Sequence, residues 1–267
     1  MINKIKRNLI YKFASQRRIK YDYMSKSIII IPARLAAARL PNKPLININN
    51  KTLIMHVYEK AIKSQIGEVY VATCDEEIAS EVNKNGGKFI MTSNKHTTGT
   101  DRVYEATNKL ELQDEDFVIN LQGDEPMIDP LDIKNLIEIS KKNNLNISTL
   151  AYKIKNKDDY LNENIVKVIT NYKITNNLAI KALNFSRIIK EENKLNIYHH
   201  FGIYSYKLLA LKQFVNLKKS ENEIKKKLEQ LRAIDNSVDI DVVLANNFSI
   251  GIDTKKDLDE YLKILNK

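Results

Sequence analysis

The sequence predicts an α/β fold, a mostly parallel sheet with helices on both faces and a smaller antiparallel lobe. Three observations carry this. From residue 27 onward, apolar β-branched runs alternate with apolar residues at helical spacing. The runs are nearly continuous, as in strands buried on both faces. Between about residues 146 and 206 the helical spacing drops out and strand follows strand.

Taken in order, residues 27–32 form the first apolar run, and Leu53, Val57, Ala61 and Ile62 recur at helical spacing. Residues 68–73 read as a strand, and Asp75 is placed to cap a helix through Ile78, Ala79 and Val82. Residues 88–91 and 117–121 are further strands. Asp129 followed by Pro130 is an N-cap with proline at the first helical position, opening a helix through Leu136 and Ile137. Residues 147–154, 165–170, 179–185 and 202–206 supply the antiparallel lobe. Ile224, Leu228 and Leu231 mark a helix and residues 240–245 a strand. Thr254 with Asp257 makes a capping-box-like start to a closing helix through Leu258, Tyr261, Leu262 and Leu265.

A chain of 267 residues is long enough for one large domain, expected over residues 25–267 with the lobe inserted at about 146–206. The net charge of +10 is unevenly placed. Residues 1–27 hold eight Lys and Arg against Asp22 alone, which leaves only +3 for the rest. The globular part therefore does not call for nucleic acid as a partner. Residues 1–24 read as a basic extension with Ile5, Leu9 and Phe13 on one helical face. A presequence, a surface-binding helix and a true start at Met24 all fit those residues. No apolar run approaches the length of a membrane span, so no stable membrane insertion is expected. Cys74 is the single cysteine, which excludes a disulfide framework and suits a reducing cytoplasm.

Glycine and proline are scarce, and all five prolines fall in two short segments. The first run leads into Pro32-Ala33-Arg34, then Arg39-Leu40-Pro41-Asn42-Lys43-Pro44-Leu45. A loop after the first strand of an α/β sheet overlies the ligand crevice. Its cations Arg34, Arg39 and Lys43 suit a triphosphate and its departing pyrophosphate, and small residues at 36–38 let backbone N–H groups approach phosphate. A solvated basic loop would use the same residue types. His96-Thr97-Thr98-Gly99-Thr100-Asp101-Arg102 offers hydroxyls, a glycine and an arginine for base, ribose or phosphate, although a plain helix start needs similar letters. Strand 117–121 ends in Gln122-Gly123-Asp124-Glu125-Pro126, and acids at a strand's carboxyl end beside a phosphate loop suit Mg²⁺. Asp253 precedes the closing helix. Since Thr254 can already cap that helix, Asp253 is a candidate second metal ligand.

Together these segments, with Val166-Lys167-Val168, Phe185-Ser186-Arg187, His200-x-Gly202-Ile203-Tyr204-Ser205-Tyr206, Leu228-Glu229-Gln230-Leu231-Arg232 and Gly251-Ile252-Asp253-Thr254, resemble the CMP-Kdo synthetases. These enzymes activate 3-deoxy-manno-octulosonate (Kdo). The resemblance runs from about Ser27 to the C-terminus. It implies a Rossmann-like nucleotidyltransferase fold, a homodimer, and transfer of CMP from CTP to Kdo for lipopolysaccharide assembly. By the same resemblance Arg34, Arg39 and Lys43 meet the CTP phosphates, while Gln122 and the Thr98, Gly99, Thr100 and Arg102 segment read the nucleoside. Asp124 and Asp253 bind Mg²⁺, with Arg34, Lys43 and Asp124 as the catalytic set. Arg187, His200, Tyr204, Glu229 and Gln230 surround the sugar acid. The chain departs from the family pattern at Ile188-Ile189-Lys190, at Lys225 to Lys227, at His199 and at Cys74. A related acid sugar such as 8-amino-Kdo, or a non-catalytic nucleotide-binding role, are the competing readings. A sialic-type sugar fits less well, because Leu35-Ala36-Ala37-Ala38 stands where that branch is glycine-rich.

Overall fold

The computed structural model describes residues 25–36, 40–176, 178–190 and 195–265. The N-terminal extension, Arg39 and two of the small loop residues, Ala37 and Ala38, lie outside the described residues.

The first strand, β1 (Ser27–Ala33), is buried along nearly its whole length. Ile29 and Ile31 enter one core cluster and Ile28 and Ile30 the other. Each face is covered, and burying one such side chain contributes about 1.5–3 kcal/mol. A two-residue hairpin pair, β2 (Asn47–Ile48) and β3 (Lys51–Thr52), precedes α1 (Leu53–Lys63). Then come β4 (Glu68–Thr73), α2 (Glu76–Lys84), β5 (Lys88–Met91), α3 (Gly99–Thr107), β6 (Phe117–Asn120) and α4 (Pro130–Lys142). Helices α1, α2 and α4 bury Val57, Val82 and Leu136 on the Ile29 face, and α3 buries Val103 and Ala106 on the Ile28 face.

The second half begins with β7 (Ile147–Lys153), β8 (Lys167–Thr170), β9 (Ala179–Ser186) and β10 (Asn196–Lys207). It ends with α5 (Leu208–Asn216), α6 (Glu221–Lys226), α7 (Leu231–Asp235), β11 (Asp241–Leu244) and α8 (Lys255–Leu265). Leu208, Leu211 and Phe214 of α5 join Val103 on the second face. α8 packs Leu258 and Tyr261 against Ile48 and Leu53.

Nine strands form one sheet in the order β5-β4-β1-β6-β10-β7-β11-β9-β8, and β8 pairs again with β10. Strands β5, β4, β1 and β6 run parallel. β10 is antiparallel to both β6 and β7, and β11 is parallel to β7, so β11 points the same way as β1. The antiparallel strands of residues 167–207 are thus hydrogen-bonded into the main sheet. The second β8 contact closes β10, β7, β11, β9 and β8 into a ring. β10 belongs to both halves: Asn196 to His199 pair with β8, and Tyr204 to Lys207 with β6.

Candidate active site

Because β1, β6 and β11 point the same way, the turns that follow them emerge on one side of the sheet. A cavity of about 330 Å³ opens there, lined by Pro32 to Arg34, Ala36, Leu40, Lys43, Pro44, His96 to Gly99, Arg102, Gln122 to Asp124 and Asp253. Chain segments far apart in sequence are held together by backbone bonds. The N–H of Leu121 donates to Ile30 O at 3.1 Å, and that of Ile252 to Asp124 O at 2.8 Å. Gly123 sits at a close approach: a Cβ there would lie 3.1 Å from Pro32 O and 3.2 Å from Ile54 Cδ1.

Lys43 stands on a short 3-10 turn, Lys43–Leu45, begun by Asn42 in the left-handed region (φ 53) with Pro44 buried behind it. Its ammonium donates to Asp124 Oδ2 at 2.6 Å and to Asp253 Oδ1 at 3.0 Å. Burial opposes the charge on Lys43, but Asp124 and Asp253 outweigh it and raise the pKa above the ordinary lysine value. Two carboxylates therefore face one cationic position at the cavity floor. Beside them the Glu125 carboxyl is pushed up to about 7, first by burial and then by the charge of Asp124. Ser249 Oγ donates to its Oε2 at 3.0 Å.

The N-terminus of α3 lines the same cavity. Thr98 caps it by accepting the Asp101 N–H at 3.1 Å, and Gly99 is its first residue. The free N–H groups and dipole of such a terminus favour an anion. His96 also lines the cavity, and its Nε2 is hydrogen-bonded to Glu105. Burial opposes charge on Glu105, yet the Ser93 N–H, His96 and Lys109 hold its carboxyl below the usual range. Arg102 is almost fully buried, donating to Thr92 Oγ1, Ser93 O and Cys74 Sγ. Arg34 is exposed at the rim.

The residues expected at the sugar lie elsewhere. None of Arg187, His200, Tyr204, Glu229 and Gln230 lines the cavity. His200 and Tyr204 meet each other with ring centroids 5.4 Å apart on β10. His200 lies 3.0 Å from Thr149 Oγ1, which itself sits 2.7 Å from Ile203 O. Burial, with His199 adding to it, lowers the His200 pKa to about 3, so the ring is neutral. The Tyr204 hydroxyl is buried with no hydrogen-bond partner among the described residues. Arg187 sits apart, its Nη1 donating to Glu163 O at 2.9 Å while Lys167 Nζ holds its carbonyl at 2.5 Å. Glu229 connects the two regions by accepting from Thr100 Oγ1 at 2.6 Å. Thr100 therefore turns away from the cavity that Thr98, Gly99 and Arg102 line.

The sequence reading missed the parts played by Asp75 and Glu125. Asp75 does not cap α2 with its side chain; its carboxylate instead accepts the Leu35 N–H. A carboxylate recruited across 40 residues leaves no local mark. Glu125 stood inside a segment already singled out, and its burial was the missing information.

A family profile described as cytidylyltransferase matches residues 28–240. A protein of Thermodesulfovibrio yellowstonii named 3-deoxy-manno-octulosonate cytidylyltransferase is 45% identical over 250 residues, covering 90% of this chain and 98% of that protein. One of the same name from Bradyrhizobium is 40% identical over 244 residues, covering 91% and 98%. Among solved structures, a CMP:2-keto-3-deoxy-manno-octonic acid synthetase complexed with CTP is similar at 36% identity and a TM-score of 0.82, covering 91% of this chain and 99% of that one. A UTP-bound UGPase from Acinetobacter baumannii, at 12% identity and a TM-score of 0.66, shares the fold alone.

Proposed function

Since the chain belongs to the 3-deoxy-manno-octulosonate cytidylyltransferase family, we propose that its cavity holds CTP over a Mg²⁺ ion shared by Asp124 and Asp253. The protein transfers CMP from CTP to the anomeric hydroxyl of Kdo and releases pyrophosphate. The observation that carries the site reading is the single ammonium of Lys43 bonded to both carboxylates.

That arrangement fits the ion. Two carboxylates from separate strand ends already share one cation, and no cluster of three or more His, Cys, Asp or Glu able to hold a metal occurs among the described residues. Mg²⁺ commonly takes one or two carboxylates and completes its shell with phosphate and water. When bound, it supplies polarisation of the α-phosphate and helps the attacking hydroxyl ionise.

The remaining work is positioning and charge neutralisation, which dominate phosphoryl-type transfers. Lys43 reaches the phosphates from beside the acid pair and stabilises charge on the departing pyrophosphate. Arg34 at the rim meets the same oxygens, and the first turn of α3 directs N–H groups toward them. Gln122, on the wall between these groups, meets the nucleoside. The sugar acid is assigned to His200, Tyr204, Glu229, Gln230 and Arg187 by the family resemblance; they lie outside the nucleotide cavity, and β10 joins Tyr204 to the end of β6 at Asn120. A homodimer and a cytoplasmic location belong to the same reading; no helix among the described residues is long and apolar enough to cross a membrane.

A pyrophosphate-release assay crossing CTP, UTP, ATP and GTP with Kdo, 8-amino-Kdo and a sialic acid tests it. CTP with Kdo is expected to dominate. Comparable turnover with ATP or UTP rejects the nucleotide assignment, and a preference for 8-amino-Kdo moves the sugar assignment.

A further inference from the structure

A buried polar relay runs behind the cavity wall. Asn120, the last residue of β6 and 1% exposed, accepts from Gln122 Nε2 through its Oδ1 at 2.9 Å. Its Nδ2 lies 3.4 Å from Thr100 Oγ1, and the Thr100 hydroxyl donates to Glu229 Oε2 at 2.6 Å. Arg232 Nη2 stands 3.5 Å from the other Glu229 oxygen.

The relay has a direction, and one group sets it. Thr100 spends its single hydrogen on Glu229 Oε2 and is left as an acceptor toward its other partners. Asn120 must then present its NH₂ to Thr100 and its carbonyl oxygen to Gln122. Gln122 in turn offers its NH₂ to Asn120, which leaves its own carbonyl oxygen on the far side. That oxygen lies by Gly99, where an added Cβ would come within 3.6 Å of it, and both residues line the cavity. It accepts no hydrogen bond from any described residue, whereas an isolated glutamine at a cavity wall could present either end.

We infer that Asn120 is a positioning residue that fixes the Gln122 amide with its oxygen toward the cavity, so that the site selects an N–H or O–H donor on the nucleoside. The inference rests on the nucleotide reading of this cavity. Asn120 touches neither nucleotide nor sugar on this account, and it acts only through Gln122. Two nucleoside donors satisfy such an oxygen: the exocyclic amine of cytosine, which uracil replaces with an acceptor, and the ribose 2′-hydroxyl, which deoxyribose lacks.

The test compares wild type, Asn120→Leu, Gln122→Met and the double variant with CTP, UTP and dCTP, alongside melting temperatures. Asn120→Leu is expected to raise the KM for CTP about tenfold, the scale of one hydrogen bond. It should shrink one preference by a similar factor. Loss of CTP-over-UTP preference identifies the base amine, and loss of CTP-over-dCTP preference identifies the hydroxyl. The double variant should match Gln122→Met alone, because residues acting through one another are not additive. A merely structural Asn120 would lower the melting temperature and multiply the two losses, and that result overturns the inference. So does an Asn120→Leu protein whose KM and both preferences stay within twofold of wild type. Should that variant fail to fold, Thr100→Val interrupts the same relay one step further back; an unchanged pair of preferences there is equally fatal. Wild-type protein that uses UTP or ATP as readily as CTP would instead remove the nucleotide reading, and this inference with it.

Discussion

The carboxylate of Asp75, at the start of α2, accepts the backbone N–H of Leu35 at 2.8 Å. Leu35 directly follows Arg34 in the loop leaving β1, so the bond anchors that loop where it passes the cavity. Asp75→Ala should free the loop and raise the KM for CTP severalfold, with little change in the KM for Kdo. The stability loss should stay near the 0.5–1.5 kcal/mol typical of one hydrogen bond. Steady-state kinetics in both substrates, with a denaturant melt, check this; an unchanged KM for CTP would show that the loop needs no anchor.

Asp124→Asn and Asp253→Asn should each abolish most turnover at limiting Mg²⁺, with partial recovery at high Mg²⁺ or with Mn²⁺. If both serve one ion, the double variant should be little worse than the worse single one. Fully multiplicative losses would assign the two carboxylates to separate tasks.

Lys43→Met should slow turnover roughly 10²–10³-fold, the cost of losing one donor at developing charge, while the KM for Kdo stays near wild type. It should also leave Asp124 and Asp253 facing each other without their shared ammonium. The metal-free variant should therefore melt below wild type, and added Mg²⁺ should raise its melting temperature more than it raises that of wild type. A Lys43→Met protein with normal kcat and a raised KM for Kdo would move the lysine to the sugar.

His200 is buried and neutral, its pKa lowered to about 3, and burial lowers the neighbouring His199 to about 4. Unfolded histidines titrate near 6.5. Below that pH the unfolded chain takes up protons that the folded chain refuses, so stability falls as pH drops from about 6.5 toward 4. His200 alone should cost about 2 kcal/mol by pH 5. Melting temperatures between pH 7.5 and 4.5 should decline along this course, and His200→Gln should flatten the slope. An equal slope in that variant would assign the acid sensitivity to other groups.

The parallel half of the sheet was legible because its strands are continuous apolar runs, and two helices of the chain, α4 and α8, carry working caps in sequence. Asp129 accepts the Leu131 N–H, and Thr254 and Asp257 bond reciprocally. The pairing of Asp124 with Asp253 was implied by the family resemblance, and the common direction of β6 and β11 accounts for their convergence on Lys43. Other features depended on distant contacts. α5 follows β10 at once, with Lys207 as an N-cap that makes no side-chain capping bond, so nothing local announces it. β10 begins at Asn196, ahead of the 202–206 run, because pairing with β8 extends it. The helix expected through Ile224 and Leu231 is two helices, broken where Lys227 takes the left-handed conformation (φ 52). Inside the site, which way an amide or carboxylate turns was decided by partners up to 210 residues away, as with Lys43 and Asp253.

The doubled pairing of β8 also bears on which edges of the sheet can take up another strand. An open sheet ends in two rows of unpaired backbone groups, each a template for another chain. Here β8 folds back onto β10, so one of those rows is consumed within the molecule. Among the described residues the row of this sheet that remains belongs to β5, four residues long and begun by the exposed Lys88. A sheet running from one subunit into the next through β8 would first have to give up the ring.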